Sequence, residues 1–162
     1  MSGMKKLSYK DFKVIVKHSP LVAIDLIIEN AEGEILMGRR NNSPAKGYWF
    51  VPGGRILKDE NFDVAFKRIA EDETGLAMDL GSSIFHGVYQ HMYPGENFAD
   101  DPSFNTHYIV IAYRIKLITK IMNLPKKQHS NYRWAPVHEI LSDPDIHQNT
   151  KNYFIMHRSF SR

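Results

Sequence analysis

Two adjacent acids, Asp72 and Glu73, stand where an amphipathic helix should carry apolar residues. With about 100° of turn per residue from a start near Asn61, the residues Phe62, Ala65, Phe66, Ile69 and Leu76 share one stripe, with Glu73 in its middle and Asp72 on its border. A carboxylate directed at a low-dielectric interior requires a cation. A metal ion would take both acids as hard oxygen ligands, and a Gly53-Gly54 turn just upstream could add a backbone carbonyl. The alternative is a buried ion pair between Glu73 and an arginine such as Arg68 or Arg55. One inward-facing glutamate does not separate the two.

The elements that must position these acids also carry other candidates. Leu21 to Glu29 reads as a strand in which Asp25 shares a face with Ala23 and Ile27, so its carboxyl is either hydrogen-bonded in the core or directed into a site. The turn Asn30-Ala31-Glu32-Gly33 returns the chain through Glu34 to Arg40, where alternation sends Arg39 and Arg40 to opposite faces and at most one into a site. A loop from Asn41 to Gly47 delivers Tyr48 to Pro52 as a short strand running into the Gly-Gly turn, which seats Arg55 beside the acids. Ile84 to Met92 alternates as a strand bearing His86, Gln90 and His91, any of which could equally be a hydrogen-bonded structural group. Tyr93 to Asn105 is a long polar loop of the kind that often serves as a binding lid. Thr106 to Leu117 returns as a strand with His107 and Tyr108 on opposite faces. A second polar connection from Pro125 to Asn131 holds Gln128 and His129, ahead of the short strand Tyr132-Arg133-Trp134. Helices are predicted over 8–18 with Ser8 as cap, before Gly75, and twice in short form after Pro136.

The 162 residues suit one domain with a single core, and 43% hydrophobic against 24% charged residues is ordinary for a globular chain. A net charge of +3 is too small for a nucleic-acid partner and suits a small anionic substrate. The absence of cysteine excludes disulfides and thiolate metal sites and is compatible with a reducing cytoplasm. No apolar run approaches membrane-spanning length and the N-terminus lacks the apolar core of a secretion signal, so a cytoplasmic protein with no membrane partner is expected.

From Gly54 the segment runs G-x5-E-x7-R-x3-D-E-x-G-L through Glu60, Arg68, Asp72, Glu73, Gly75 and Leu76. That pattern resembles the Nudix box. The resemblance implies an α/β fold, an α/β/α sandwich with a mixed central sheet, over residues 1–162 as a single domain, and Mg2+-dependent cleavage of a nucleoside diphosphate linked to another moiety. Ile69 stands where most Nudix enzymes carry Glu, and Asp72 replaces the first of two adjacent Glu residues. Beyond the box, Pro20 to Asp25, Gly47 to Arg55, Gln90-His91, Thr106-His107-Tyr108 and Gln128-His129 before Tyr132-Arg133-Trp134 are similar to the GDP-mannose mannosyl hydrolases, which also lack the Glu that Ile69 replaces.

This second resemblance implies one Mg2+ per subunit, with Mn2+ able to substitute, held by the Gly53 carbonyl, Glu73 and Gln128. It further implies that Arg40 and Arg55 hold the diphosphate and that Asp25, His91 and Tyr108 surround the sugar and leaving group. His129 would be the base that activates water. The implied reaction is hydrolysis of GDP-mannose, and of GDP-glucose as a second substrate, by inverting attack at the anomeric carbon, in a homodimer. Asp72 is left open between a second metal site and solvent. Attack at phosphorus, giving a nucleoside monophosphate and a sugar 1-phosphate, is the competing reaction. A nucleotide-sugar sensor without turnover is a third reading.

Overall fold

A strand apolar on both faces has to lie inside a sheet, and β1 (Leu21–Glu29) does. Its Ile24, Leu26 and Ile28 face one side and Ile27 the other, all fully buried. The computed structural model describes residues 7–118, 124–125 and 129–155. Before β1 comes α1 (Tyr9–His18), whose Ser8 cap accepts a hydrogen bond from the Asp11 backbone N–H at 3.1 Å. After it, the Asn30 side-chain carbonyl accepts from the backbone N–H groups of Glu32 and Glu34 and turns the chain into β2 (Ile35–Arg40). There follow β3 (Trp49–Phe50), β4 (Gly53–Arg55), α2 (Phe62–Thr74), a single 3-10 turn at Leu80–Ser82, β5 (Ile84–Tyr93), β6 (Thr106–Lys116), β7 (His129–Ala135), α3 (Val137–Ser142) and α4 (Gln148–Lys151).

The sheet is mixed. β1 and β6 run parallel from Leu21 beside Tyr108 to Glu29 beside Lys116, and the other pairings are antiparallel. On its second edge β1 meets β2 only at Glu29–Ile35, and β4 takes over at Ala23, Ile24 and Asp25. β2 meanwhile continues with β3 and β7. The sheet therefore branches on one side of β1. Ala65, Phe66, Ile69 and Ala70 of α2 pack with Ile24, Leu26 and Ile28 on one face, while Ile140 of α3, Ile146 and Tyr153 pack with Ile27, Ile35, Met37 and Ala112 on the other. Helical segments on both faces of a mixed sheet make the sandwich that the sequence implied.

Two local expectations are corrected. Gly53-Gly54 is not a turn but the start of β4, paired with Asp25 and Ile24. Its glycines answer to close approach rather than to chain reversal, since a Cβ on Gly53 would lie 2.1 Å from Asp25 Oδ1 and 2.8 Å from the Ile24 carbonyl oxygen. His129 lies not in a connecting loop but at the start of β7, opposite Arg40, because β2 extends far enough to pair with it. The loop 94–105 is the long connection that the sequence predicts, and it is internally braced. Buried Asn97 donates to the carbonyls of Asp101 and Phe104 and accepts from the backbone of Ala99 and Asp101, and the loop is tied to α1 by Lys13–Asp101 at 2.9 Å.

Candidate active site

Glu73 projects from the last turn of α2 and is 2% exposed. Its Oε2 lies 3.0 Å from Nε2 of His129. Arginine is not its partner. Arg68 instead gives Nε and Nη2 to the two oxygens of Glu60 at 2.6 and 2.9 Å, and Nη2 also donates to the Arg55 carbonyl at 2.9 Å. The same Glu60 accepts from the Leu57 backbone N–H, so Arg68 and Glu60 brace the segment joining β4 to α2. Those bonds from Arg68 hold the Glu60 carboxyl below its ordinary range. Asp72 has its side chain 60% exposed and 3.5 Å from Arg68, and it lines the open part of the cavity that Glu73 also lines. A helix register that buries Glu73 turns its neighbour toward solvent, so the two acids do not form an inward pair.

His129 is 6% exposed and packs flat against Gly38, where a Cβ would come within 2.6 Å of its ring. Its Nδ1 is buried without a hydrogen-bond partner among the described residues. Nε2 is thus the nitrogen through which this ring meets the site.

Next to Gly53, its partner in the β1–β4 register, Asp25 accepts a hydrogen bond at Oδ2 from the Tyr153 hydroxyl at 2.6 Å, and Nε2 of His91 lies 3.2 Å from the same hydroxyl. The carboxyl opens on the cavity, yet the protein around it dominates, and burial pushes it up to about 7 against the Tyr153 bond and the Arg40 charge. Burial also pulls the His91 imidazole down to about 4, with His147 and Arg40 acting in the same direction, so His91 is neutral at pH 7. Tyr108 stands directly opposite His91 in the β5–β6 register. The Arg40 guanidinium lies over the Phe50 ring at 5.3 Å and that of Arg55 over the Phe12 ring at 4.6 Å. Arg39 leaves the site as alternation predicts, donating to the Gly47 carbonyl at 2.9 Å. Gln90 and His107 meet each other at 2.9 Å away from the cavity.

One cavity of about 510 Å3 is lined by Asp25, Arg40, Gly53, Arg55, Glu73, His91, Tyr108 and His129 together. Gln128 lies outside the described residues. Sequence reasoning missed Tyr153 as a residue next to the site. The signal was present in a tyrosine inside an apolar cluster, since a buried phenol needs a hydrogen-bond partner.

The donors present fit a Mg2+ ion. Glu73 is a buried carboxylate, and the glycine at 53 brings main chain to the wall where a side chain has no room. Among the described residues no three His, Cys, Asp or Glu side chains converge as a metal cluster. That matches the habit of Mg2+, which takes one or two carboxylates and completes its shell with substrate phosphate and water. Two arginines facing one buried acid across such a cavity can hold a diphosphate and favour negative charge developing on it.

A family described as NUDIX domain matches residues 19–156. The chain is 36% identical over 107 residues to the low-salt glycan biosynthesis protein Agl8 of Haloferax volcanii, covering 66% of this chain and 65% of that protein. It is 36% identical over 86 residues to an ADP-ribose pyrophosphatase of Methanocaldococcus jannaschii, covering 53% of this chain and 48% of that one. The chain thus spans less than two thirds of the length of either relative. Its fold is similar to that of the MutT protein from Methanosarcina mazei Go1, with a TM-score of 0.67, 23% identity, and 85% of this chain and 92% of that chain covered.

Proposed function

The chain belongs to the Nudix family, and we propose that this Nudix hydrolase cleaves GDP-mannose, and GDP-glucose as a second substrate, to GDP and free sugar by water attack at the anomeric carbon with inversion. The observation that carries the reading is the meeting of two kinds of group in one cavity. One stretch of its wall bears the buried acid Glu73, with Ile69 one turn before it packed in the core where most of the family carries Glu. The next, which begins where Asp25 pairs with Gly53, bears Asp25, His91 and Tyr108, polar groups suited to hydrogen-bonding a sugar.

Nudix hydrolases generally use divalent metals such as Mg2+. In this reading Glu73, the Gly53 carbonyl and Gln128 hold one Mg2+ per subunit, with Mn2+ able to substitute. When bound, the ion would neutralise charge on the diphosphate and so make GDP a better leaving group. Arg40 and Arg55 hold the diphosphate and gain strength as the glycosidic bond breaks and its electrons move to the leaving oxygen. Asp25, His91 and Tyr108 orient the sugar so that water meets the face opposite the departing GDP. His129 accepts the proton from that water at Nε2 once Glu73 has turned to another partner and the ring is the Nδ1–H tautomer, in which Nε2 carries the lone pair.

The reading takes residues 1–162 as one catalytic domain of a cytoplasmic homodimer that needs no nucleic acid. No helix among the described residues is long and apolar enough to cross a membrane. The likeness to an ADP-ribose pyrophosphatase favours the second reading, attack at phosphorus. A panel of nucleotide sugars with Mg2+ or Mn2+, with products separated by chromatography, decides between them. GDP with mannose is the expected outcome. GMP with mannose 1-phosphate would establish the pyrophosphatase, and binding without turnover would establish a sensor.

A further inference from the structure

We propose that Tyr153 is a positioning residue of the sugar wall, whose single hydroxyl fixes both the carboxyl of Asp25 and the imidazole of His91. The inference rests on the glycosyl-transfer reading for its kinetic consequence but on geometry for the contacts. The three groups come from far apart in the chain and meet at one oxygen, which lies 2.6 Å from Asp25 Oδ2 and 3.2 Å from His91 Nε2. A phenol has one proton to donate. When Asp25 is ionised, the shorter contact takes that proton, and the ring nitrogen of His91 is then the donor in the longer one.

The resulting chain runs from His91 Nε2–H to the Tyr153 oxygen and from the Tyr153 O–H to Asp25 Oδ2. It leaves Asp25 Oδ1 as the carboxylate oxygen without a claim from Tyr153, on the side that approaches Gly53. It also sets His91 as the Nε2–H tautomer, with Nδ1 carrying the lone pair. The scaffold holding the hydroxyl is rigid. Tyr153 is 3% exposed, its ring meets that of Tyr89 edge to face at 4.7 Å, and its carbonyl is 2.8 Å from His86 Nε2 on β5. The C-terminal segment after α4 thereby reaches through the second core to the active site. Its contribution there is orientation, since the hydroxyl faces Asp25 and His91 rather than lining the cavity itself.

The test compares the full-length wild type with Tyr153→Phe, which keeps the ring and removes one oxygen. Nitrogen-15 NMR of the histidine side chains in the substrate-free protein, at a pH well above 7 where the Asp25 carboxyl is ionised, should find His91 as the Nε2–H tautomer in the wild type and as a mixture in the variant. With GDP-mannose and Mg2+, the variant should lose about tenfold to a hundredfold in kcat, as expected for a hydrogen bond to a charged group, with KM within about twofold and thermal stability nearly retained. A wild-type His91 protonated at Nδ1 overturns the proposal. So does a variant with unchanged kcat. If the wild type turns over no nucleotide sugar, the reading of the reaction fails, and the proposal is then decided by the tautomer alone.

Discussion

At the residue scale, the account places the greatest demand on Glu73. Glu73→Gln keeps the shape and the contact distance to His129 but removes the anionic oxygen, so the fold should persist while Mg2+ affinity and turnover fall at least about tenfold to a hundredfold. Isothermal titration with Mg2+ alongside kinetics checks this, and unchanged affinity would remove Glu73 from the metal site. Arg40→Gln and Arg55→Gln should each lower kcat more than they raise KM, because their bonds strengthen as charge develops on the diphosphate. A rise in KM alone would make that arginine a uniform binding contact. Glu73 and Asp25 drew notice in the sequence because each breaks a local rule, as an acid on an apolar helix stripe and a carboxyl inside an apolar strand, whereas the roles of Arg40, Arg55, His91, Tyr108 and His129 came from the family resemblance alone. Tyr153 was not assigned, because a buried phenol signals only that it has a partner, and that partner, Asp25, lies at the other end of the chain.

At the element scale, alternation and capping were enough to find β1, β5, β6, α1 and α2, with Ser8 and Gly75 at helix ends as read from sequence. What alternation does not contain is which edges meet. The branching of the sheet beside β1 follows from tertiary pairing, and it converts Gly53-Gly54 from an apparent turn into β4 and draws His129 out of a loop into β7. Gly38 records that second event. Gly38→Ala would place a Cβ 2.6 Å from His129 Cγ and 2.7 Å from Nδ1, forcing the ring or the strand to move. A loss of about 1–3 kcal/mol is expected in urea unfolding, with a fall in kcat as the ring leaves its place. Gly81→Ala, with nothing within 4 Å of its Cβ, is the control. Equal stability of Gly38→Ala and wild type would show that β7 is not held against β2 as described.

At the scale of the whole molecule, the buried polar wall makes stability depend on pH in two opposing ways. His91 is held neutral down to about 4, below the 6.5 of an unfolded histidine, so the unfolded chain binds the extra proton between those values. Its contribution is complete above pH 6.5 and is lost as the pH falls toward 4, amounting to about 3 kcal/mol at most. Asp25, raised to about 7, has the opposite sign, since the folded state holds its proton where the unfolded chain has released it. The two offset each other in the wild type, so the His91 contribution is read by difference. Between pH 7 and pH 4.5 the wild type should lose more stability than His91→Gln, and equal losses would place His91 in a more open setting than the structure gives it. The proposed reaction depends on the whole cavity, because in it Glu73, the two arginines and the group around Asp25 act on one substrate. Hydrolysis of GDP-mannose in 18O-water with Mg2+ tests that most directly, since the label marks the atom that water attacked. The account predicts 18O in the released mannose and none in GDP, whereas label in GMP or in mannose 1-phosphate would contradict it.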